Sequence, residues 1–496
     1  VLYRELQRIK ALFDPRNQLN PGKIATPAET KFKLQTIDGP LRGTSDRQIA
    51  PADIAHLSTV VHCNGNGQCF DTSTDSIMCP SSKITRDRIH SPKGRATLMR
   101  EWLRLVAQSG AEATAALRTP GRLFWPSRLF QRWAHGARKE DFSHEVYDAM
   151  SGCLACKACA TQCPIRVDVP DFRAQFLELY HRRYARPLGD YFVAMLEWLL
   201  PVLALVPALG NLLTTSALGR WFTARVAGIV DAPALDSNTA PARLKAHGIP
   251  ISDVDALARL PRDAKAVVVL QDAFTTFYEP GVLEASCRLL MKLGYQVHVL
   301  PYFANGKALH IKGFLGWFDR VVGRNASLLR KVAAFGFPMI GIEPAVVLTY
   351  RDEYPKSLEA EAGFRVQLLQ EWLSEQTLPK LAGEGAQGFR LLSHCTEQAL
   401  QPKAPALWAQ VFRALGVPLE VVKAGCCGMC GVYGHELSHQ RESRGIFELS
   451  WKNKIDPALD RQRVLVTGHS CRHQVERSLD FTPLHPAQAL LAALGD

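Results

Sequence analysis

Four cysteines lie close together near residue 155 of the 496-residue chain, in the segment CLACKACATQCP at 153–164. Their spacing is C-x2-C-x2-C-x3-C-P. A loop with this spacing directs its first three thiolates at one iron–sulfur cubane, while the fourth cysteine, before proline, reaches towards a second cluster. Structural zinc sites instead use pairs of cysteines that lie far apart in sequence. The segment therefore predicts iron–sulfur ligation by Cys153, Cys156 and Cys159.

A second cysteine loop precedes this one at 63–80, with the sequence CNGNGQCFDTSTDSIMCP. It follows the same template, except that Asn66 takes the place of the middle cysteine and an insertion delays the Cys79-Pro80 pair. In two-cluster ferredoxins the fourth ligand of each loop crosses to the other cluster. Such crossing predicts two thiolate sets: Cys79 with Cys153, Cys156 and Cys159, and Cys163 with Cys63 and Cys69.

The two sets predict different clusters because they offer different numbers of thiolates. The set of four should hold a [4Fe-4S] cluster. The set of three leaves three alternatives open. It could hold [3Fe-4S], it could hold [4Fe-4S] with Asn66, His62 or water as the fourth ligand, or it could be a vestigial site.

An internal repeat occupies the last part of the chain. The positions in register are Leu293-Gly294 with Leu415-Gly416, Gly306 with Gly428, and Asp272 with Cys395. Gly306 follows Gly294 at the same distance in sequence as Gly428 follows Gly416, so the chain holds two copies of one α/β unit.

The second copy carries four cysteines that the first copy lacks: Cys395, Cys426, Cys427 and Cys471, against Asp272, Ala304, Asn305 and Ala345. Because all four are missing together, they are expected to act as one site. We expect a third iron–sulfur cluster at the strand ends of the second copy, with a redox disulfide or a zinc site as alternatives.

Other residues near this motif have less specific patterns. His394, His435, His469 and His473 could be ligands, proton carriers or ordinary loop residues. Cys430 could be a spare ligand or a resolving thiol. Cys287 lies in the apolar segment EASCRLLMKL and is expected in the core.

These loops need elements that hold them in place. Apolar spacing predicts helices over 1–13 and 171–184, and Ser91-Pro92 should open a helix that ends near Gln108. Short β-rich runs alternate with helical segments at 266–270, 296–300, 390–393, 419–422 and 464–467, which indicates a largely parallel sheet.

The predicted fold class is α+β multidomain: a helical ferredoxin-like iron–sulfur domain followed by two α/β Cys-Cys-Gly repeats. The expected divisions are a tail and linker at 1–50, the iron–sulfur domain at 51–190, an apolar connector and linker at 191–262, the degenerate repeat at 263–386 and the intact repeat at 387–496.

Residues 192–213 are the most apolar stretch of the chain. Glu197 interrupts it, and Pro201 and Pro207 break a helix. We therefore expect a buried or surface-lying helical hairpin rather than a membrane span. Contact with the inner face of a membrane stays an open question.

The composition narrows the function classes. A hydrophobic content of 47% excludes a largely disordered protein. Thirteen clustered cysteines in a chain of this length favour metal ligation in the cytoplasm over an extracellular disulfide scaffold. The net charge of +12 is spread along the chain without a basic run, so no nucleic-acid partner is expected. The start at Val1, inside a predicted helix, indicates a piece of a longer polypeptide.

Over residues 60–496 the cysteine motifs resemble the iron–sulfur subunit of glycolate oxidase and its relatives, which share the Cys-Cys-Gly domain of heterodisulfide reductase. The segment LFDPRNQLNPGK at 12–23 is similar to the end of flavin-binding oxidases of the vanillyl-alcohol-oxidase type. Together they resemble the large bacterial D-2-hydroxyglutarate dehydrogenase family that contains flavin and iron–sulfur centres. A flavin-binding domain is missing from this chain.

The resemblance implies an electron-transfer half of a dehydrogenase. FAD, in the flavin-binding half of the same polypeptide, would take hydride from a small 2-hydroxy acid, and clusters would pass electrons to a quinone or redox protein. Asn20 and Lys23 would contact the flavin domain. D-lactate or glycolate as substrate, a separate electron-transfer module and a zinc scaffold are the alternatives. A homo-oligomer is expected.

Overall fold

The computed structural model of the chain describes residues 1–31, 33–34, 43–110, 112–113, 141–380 and 388–495. Within these ranges, many helices surround two small parallel sheets. The mixture of helix and parallel sheet agrees with the sequence pattern. The ferredoxin-like and Cys-Cys-Gly character of the units, and the domain divisions, stay predictions. The expected division at 386/387 lies outside the described residues.

The first helix is Leu2–Phe13, as predicted, and it ends at Asp14. The Asp14 carboxylate accepts hydrogen bonds from the backbone N–H groups of Gln18 and Leu19, at 2.8 and 2.7 Å. These bonds turn the chain away from the helix axis. A turn closes from Lys23 N–H to the carbonyl of Asn20, at 3.2 Å.

A helical unit holds the two cysteine loops. Its helices are Pro51–His56, Ser58–Val61, Pro80–Thr85, Pro92–Gln108, Ser143–Ser151, Ala158–Gln162 and Val169–Arg183, with 3-10 turns at Asp46–Gln48, Gln68–Phe70 and Arg88–His90. The predicted cap is confirmed, because Ser91 Oγ accepts from Gly94 N–H at 3.0 Å. Met99, Trp102 and Phe176 lie in the core of this unit.

The apolar connector is a series of short helices: Leu188–Ala194, Leu196–Leu203, Pro207–Thr215 and Ala217–Phe222, followed by a π turn at Thr223–Ala227. The predicted break at Pro201 is wrong, because Pro201 lies inside the helix Leu196–Leu203. The break at Pro207 is confirmed, because Pro207 begins a new helix. In the described part of the chain, no helix is long and apolar enough to cross a membrane. Linker helices Ala240–Ala246 and Val254–Ala258 lead to the first sheet.

The first sheet contains strands β1 (Ala266–Leu270), β2 (Gln296–Val299), β3 (Met339–Gly341) and β4 (Val366–Leu368), in the order β2-β1-β3-β4 and all parallel. Its helices are Ala273–Phe277, Pro280–Lys292, Lys307–Ile311, Leu315–Ala333, Pro344–Arg351, Glu353–Leu358 and Leu369–Ser374. The sequence pattern predicted β1 and β2 but not β3 and β4.

The second sheet contains β5 (Phe389–Leu392), β6 (Leu419–Val421) and β7 (Val464–Val466), in the order β6-β5-β7 and again all parallel. Its helices are Cys395–Leu400, Ala404–Leu415, Gln440–Ser450, Pro457–Asp460, His469–Leu479 and Pro486–Ala493, with 3-10 turns at Tyr433–His435, Leu437–His439 and Lys452–Lys454.

The two sheets match in order and share one apolar core. The order β2-β1-β3 in the first sheet corresponds to β6-β5-β7 in the second, so β1 and β5 take the same central place. Leu290, on the helix Pro280–Lys292 beside the first sheet, packs in the same cluster as Trp408 and Leu465 of the second unit, and Cys287 is fully buried there. Gly306 and Gly428 both have φ in the left-handed region, +86° and +89°. The backbone therefore turns alike at these two repeat positions.

A buried lysine joins the cysteine loop at 153–164 to the first α/β unit. The side chain of Lys157 is 1% exposed, and its Nζ lies 2.7 Å from Asp352 Oδ2, 3.4 Å from Asp168 Oδ2 and 3.6 Å from Glu353 Oε1. Burial disfavours its charge, but the three carboxylates more than offset that and raise the pKa of Lys157 well above its usual range. Since Asp352 and Glu353 belong to the repeat unit, the network links the two units.

We predict that Lys157→Met lowers the free energy of unfolding by about 3–5 kcal/mol, because it leaves buried carboxylates without their cation. Despite burial, the attraction of Lys157 keeps the pKa values of Asp168 and Asp352 low. This stabilisation is therefore present above the pKa of an unfolded aspartate, about 4, and is lost as pH falls through the folded-state values. Urea unfolding followed by circular dichroism measures it.

Lys356→Met is the matched control, because Lys356 pairs with the same two aspartates but its side chain is 42% exposed. An exposed pair contributes about 1 kcal/mol or less. Equal losses in the two variants would contradict the assignment of the buried lysine as the essential cation.

Candidate metal centre

The first predicted thiol set surrounds one cavity. Cys79, Cys153, Cys156 and Cys159 line it together with Pro80, Arg95, Leu154 and Val169. Cys79, Cys156 and Cys159 are buried, and Cys153 is half-buried. Burial raises the pKa values of Cys79, Cys156 and Cys159. The structure thus brings the crossed cysteine beside the three of the main loop, and a four-thiol donor set fits a cubane.

The loops reach this arrangement through left-handed backbone at residues other than glycine. Cys79, Ala155 and Lys157 have φ of +34°, +55° and +62°. Such conformations cost free energy in most residues and tend to cluster at functional sites. Pro80 begins the helix that follows Cys79, where its missing N–H costs no hydrogen bond. Cys79, Cys153 and Cys156 therefore lie outside regular elements, whereas Cys159 lies in the short helix Ala158–Gln162.

A buried arginine compensates negative charge at this cavity. Arg95 is 1% exposed, and its Nη1 lies 3.8 Å from Cys79 Sγ. Its Nε donates to the carbonyl of Ala149 at 2.7 Å and its Nη2 donates to Ser81 Oγ at 2.9 Å. Burial raises the pKa of the Cys79 thiol, and the Arg95 guanidinium opposes that shift. A fixed cation here would favour a negatively charged cluster held by the four thiolates.

The second predicted set also comes together. Burial raises the pKa of Cys69, and the nearby thiols of Cys63 and Cys163 act in the same direction. The side chain of Asn66 is occupied in a local turn: its Oδ1 accepts from Gln68 N–H at 2.9 Å. A cavity of about 640 Å³, lined by Gly67, Phe70, Met78 and Gln162 among others, opens beside this set.

Five cysteines converge at the end of the second sheet. Cys426 Sγ lies 3.9 Å from Cys395 Sγ, and Cys427 Sγ lies 3.2 Å from Cys471 Sγ. Cys430 also hydrogen-bonds the thiol of Cys395. The four predicted residues thus share one buried site, and Cys430 joins them. A disulfide needs sulfurs about 2.05 Å apart, and the cysteines here are free thiols.

Hydrogen bonds between these thiols separate their pKa values. Hydrogen bonding with neighbouring thiols, that of Cys426 above all, lowers the pKa of Cys395 well below its usual range, despite burial. Burial opposes a similar shift at Cys427, but hydrogen bonding with Cys426 and Cys471 lowers its pKa. Thiolates are the form of cysteine that binds metals. The thiolate form is therefore favoured at Cys395 and Cys427.

The first and third sets lie against each other. Cys430 Sγ donates to the carbonyl of Leu154, in the 153–164 loop, at 2.8 Å. Cys156 and Cys395 are close enough for their charges to interact, and they lie in one apolar cluster with Ile77 and Tyr433. Two sites more than two hundred residues apart in sequence therefore form one continuous buried region.

The glycines around the Cys-Cys pair allow this packing. A Cβ on Gly425 would lie 2.8 Å from the backbone oxygens of Thr74 and Ser76, in the 63–80 loop. A Cβ on Gly428 would lie 2.2 Å from the carbonyl oxygen of Ser443. Ser450 Oγ accepts from Gly425 N–H and donates to Thr74 O, both at 2.7 Å. The Cys-Cys-Gly segment and the 63–80 loop thus meet at backbone without a side chain.

The four histidines singled out near the Cys-Cys-Gly motif make contacts with protein groups. His394 Nδ1 accepts from Thr396 N–H at 3.2 Å and so caps the helix that begins at Cys395. His435 and His473 reach the carbonyls of Val230 and Asp231, at 3.1 and 3.0 Å. The fourth histidine, His469, stacks on Phe274 and Tyr278 and pairs with Glu279.

Acidic residues with structural hydrogen bonds lie at the strand ends of the first repeat. Asp272 accepts from the N–H groups of Phe274 and Thr275, at 2.8 and 2.9 Å, and so caps a helix. Glu343 Oε2 accepts from His469 N–H of the second repeat at 2.9 Å. These contacts explain why an acid, rather than a cysteine, can stand at the first repeat's strand ends.

Sequence reasoning missed Arg95, Lys157 and Lys83, the cations nearest the thiols. Lys83 is mostly buried, its Nζ donates to the carbonyls of Ser73 and Ser76, and its charge is close to those of Cys79, Cys156 and Cys426. The sequence offered only a weak signal for these cations, namely their closeness to the cysteine loop. Lys83 lies three residues after Pro80, and Arg95 lies in the first turn of the helix Pro92–Gln108.

In the described part of the chain, no three His, Cys, Asp or Glu side chains close around one point as ligands of a single metal ion would. Tetrahedral zinc, with Zn–S of about 2.3 Å, requires thiolates about 4 Å apart.

The chain is similar to bacterial proteins named D-2-hydroxyglutarate dehydrogenase. It is 46% identical to that of Pantoea ananatis, 46% identical to that of Pseudomonas putida and 45% identical to that of Escherichia coli K12. Each alignment covers 99% of this chain and 49% of the relative. The chain therefore spans about half the length of the curated relatives it matches.

A more distant similarity is to one of the subunits of the anaerobic glycerol-3-phosphate dehydrogenase of Escherichia coli K12. It is 24% identical over 240 residues, which cover 46% of this chain and 59% of that protein. No protein-family profile matches the chain. A crystal structure of a hypothetical protein from Helicobacter pylori aligns over 82% of this chain and 73% of its own, at 12% identity and a TM-score of 0.35.

We predict that Gly428→Ala destabilises the Cys-Cys-Gly loop by about 2–4 kcal/mol. Left-handed backbone costs a residue with a Cβ about 1–2 kcal/mol, and the overlap with Ser443 O adds a similar amount. The thermal unfolding midpoint and the rate of thiol labelling of the anaerobic protein measure the effect. Labelling should accelerate because the loop must move away from the helix Gln440–Ser450.

Gly431→Ala is the control, because Gly431 has φ of +63° but open space around its Cβ position. It should cost only the backbone term, about 1–2 kcal/mol. If both variants lose the same stability, the close approach at Gly428 is not what fixes the loop.

Proposed function

We propose that this chain is the iron–sulfur electron-transfer half of a flavin-dependent D-2-hydroxy-acid dehydrogenase. Its substrate would be D-2-hydroxyglutarate, oxidised to 2-oxoglutarate. The observation that carries the proposal is the identity of 40–46% to named D-2-hydroxyglutarate dehydrogenases along 99% of the chain. In this proposal the chain corresponds to the C-terminal part of such an enzyme.

The thiol sets supply the places for metal clusters. Cys79, Cys153, Cys156 and Cys159 would hold a [4Fe-4S] cluster, Cys63, Cys69 and Cys163 would hold a [3Fe-4S] or incompletely ligated cluster, and Cys395, Cys426, Cys427 and Cys471 would hold a third. When bound, such clusters take up and release single electrons. The protein buries these thiols, except the half-buried Cys69 and Cys153, and places Arg95 and Lys83 near their negative charge.

The contact of Leu154 with Cys430 supports electron exchange between the first and third sets. A shared apolar cluster covers both sets, so solvent does not separate them. Low polarity around the thiols also limits the charge rearrangement that accompanies an electron's arrival. We therefore propose that these two sets act as neighbours in one electron path.

The flavin and the substrate would belong to the other half of the polypeptide. Helix Leu2–Phe13 supports this, because none of its residues is buried against the described residues, and Leu2, Leu12 and Phe13 are about four-fifths exposed. An amphipathic helix normally buries its apolar stripe against a partner. We propose that this stripe packs on a flavin-binding unit. Asn20 and Lys23, in the exposed turn after it, would contact that unit.

The remaining assignments follow from the chemistry. Clustered thiols suit the reducing cytoplasm, which we propose as the compartment. The electron acceptor would be a quinone or a redox protein, and the active enzyme a homo-oligomer. A nucleic-acid partner has no basis in the charge distribution.

A separate electron-transfer module is the second candidate. The similarity to a protein of the anaerobic glycerol-3-phosphate dehydrogenase favours it, because that protein is named as one subunit among several. Such a module would dock a quinone or disulfide acceptor and serve a flavoprotein made as another chain. D-lactate or glycolate would then be alternative substrates of the assembled enzyme.

Iron and acid-labile sulfide per chain, measured on anaerobic protein with EPR before and after dithionite, test the cluster assignment. About eleven to twelve irons would support all three sets, and about four would leave only the complete four-thiol set. Folded protein without iron would overturn the proposal. Reduction of a dye by D-2-hydroxyglutarate, D-lactate or glycolate, with the flavin-binding half present, then ranks the substrates.

We predict that Cys156→Ser removes about four irons per chain and lowers acceptor reduction at least tenfold, while substrate still reduces the flavin at its normal rate. The reason is that Cys156 lines the first cavity and serves no flavin. Anaerobic stopped-flow absorbance separates the two rates. Equal loss of both rates would contradict the division of labour.

Cys287→Ala is the matched control for iron content. Cys287 is a fully buried cysteine in the shared core, away from all three thiol sets. It should retain full iron and both rates, with a modest loss of stability from the lost sulfur. A loss of iron in this variant would show that any buried cysteine change disturbs cluster binding.

A further inference from the structure

The connector between the helical unit and the first sheet exposes a band of large apolar side chains. Leu205, Leu209, Leu212, Leu218, Trp221 and Phe222 are each between 51% and 79% exposed. We call these six side chains the apolar ledge. They lie within two short helices and the turn before them. Scattered apolar side chains are normal on a surface, but a concentration of this kind marks an interaction site.

The opposite side of the same segment is fixed to the protein. Asn211 Nδ2 donates to the carbonyl of Leu235 at 2.9 Å, and Asn211 Oδ1 accepts from Leu235 N–H at 2.7 Å. Leu200 and Leu235 lie in a small buried cluster beneath it, and Val230 N–H donates to the carbonyl of His435 at 2.8 Å. The ledge is therefore held outward by a structured base.

The charged residues within the segment that carries the ledge are of one sign. Between Glu197 and Asp231 the chain has no acidic residue, and its charged residues are Arg220 and Arg225, both exposed. Arg220 stands next to Trp221. Arginine beside tryptophan and leucine, without acids, is typical of segments that lie in the interface of a bilayer with anionic lipids.

The helices of the ledge are too short to cross a bilayer. Pro207–Thr215 has nine residues and would span about 14 Å, against a hydrocarbon core of about 30 Å. Cations and apolar side chains alone match the headgroup and acyl boundary of a membrane instead. The chain's net charge of +12 acts in the same direction.

We propose that the apolar ledge is a membrane-surface docking site that inserts its leucine, tryptophan and phenylalanine side chains into an anionic bilayer, with Arg220 and Arg225 at the lipid headgroups. The ledge lies on the membrane and does not span it. This surface is independent of the thiol sets, so it does not rest on the function proposed above.

Flotation of the full chain with vesicles tests the proposal, using phosphatidylcholine alone and phosphatidylcholine mixed with phosphatidylglycerol. We expect the protein to float with the mixed vesicles. Leu209→Glu and Leu212→Glu should each lower the partition coefficient roughly tenfold or more, because a leucine no longer enters the apolar layer. Arg220→Gln with Arg225→Gln should weaken binding about tenfold on mixed vesicles only.

Leu459→Glu is the matched control, because Leu459 is 70% exposed on another part of the surface. It should float like the unchanged protein, and circular dichroism should show every variant folded. Absence of flotation with the mixed vesicles would overturn the proposal. So would ledge variants that float normally but change the molar mass in light scattering, since the ledge would then be a contact between protein chains.

Discussion

Burial of negative charge among thiols is the constraint on which the rest of this structure depends. A thiolate in an apolar interior is unstable unless cations or hydrogen-bond donors face it. Here Arg95 faces Cys79, and neighbouring thiols donate to Cys395. Lys157 then holds the cysteine loop at 153–164 against acids of the first repeat. Buried charges thus stabilise the thiol sites and also hold the helical unit against the first repeat.

Close backbone approach completes the arrangement. The Cys-Cys-Gly segment packs against the 63–80 loop where Gly425 leaves room for backbone oxygen atoms. The same segment contacts the 153–164 loop through the thiol of Cys430. Gly425 and Gly428 have no substitute there, because a Cβ would overlap backbone oxygen atoms that belong to hydrogen-bonded elements. The Cys-Cys-Gly motif is therefore a packing requirement as well as a source of ligands.

Much of this could be predicted from the sequence, for identifiable reasons. Cysteine spacing is local, so the grouping of Cys79 with the 153–159 cysteines follows from a template. Strand β1 is a run of five buried apolar residues with clear ends. Strands β3 and β4 are no shorter than β6 and β7, which were predicted, but β3 ends in Gly341 and β4 leads directly into the helix Leu369–Ser374, so neither is set apart as a β-rich run. The roles of Arg95 and Lys83 depend on tertiary burial, and a basic residue on a helix is usually solvated.

The contact between Leu154 and Cys430 joins residues 276 positions apart. A chain emerging from the ribosome exposes the thiols of the 63–80 and 153–164 loops long before the segment that covers them has been made. Until then, those sulfurs face solvent and oxidants without the apolar cover supplied by Tyr433 and Ile446. The order of synthesis therefore leaves closure of the sulfur-rich interior to the segment that contains Tyr433 and Ile446, and the thiols of the two earlier loops are accessible to metal before that segment folds over them.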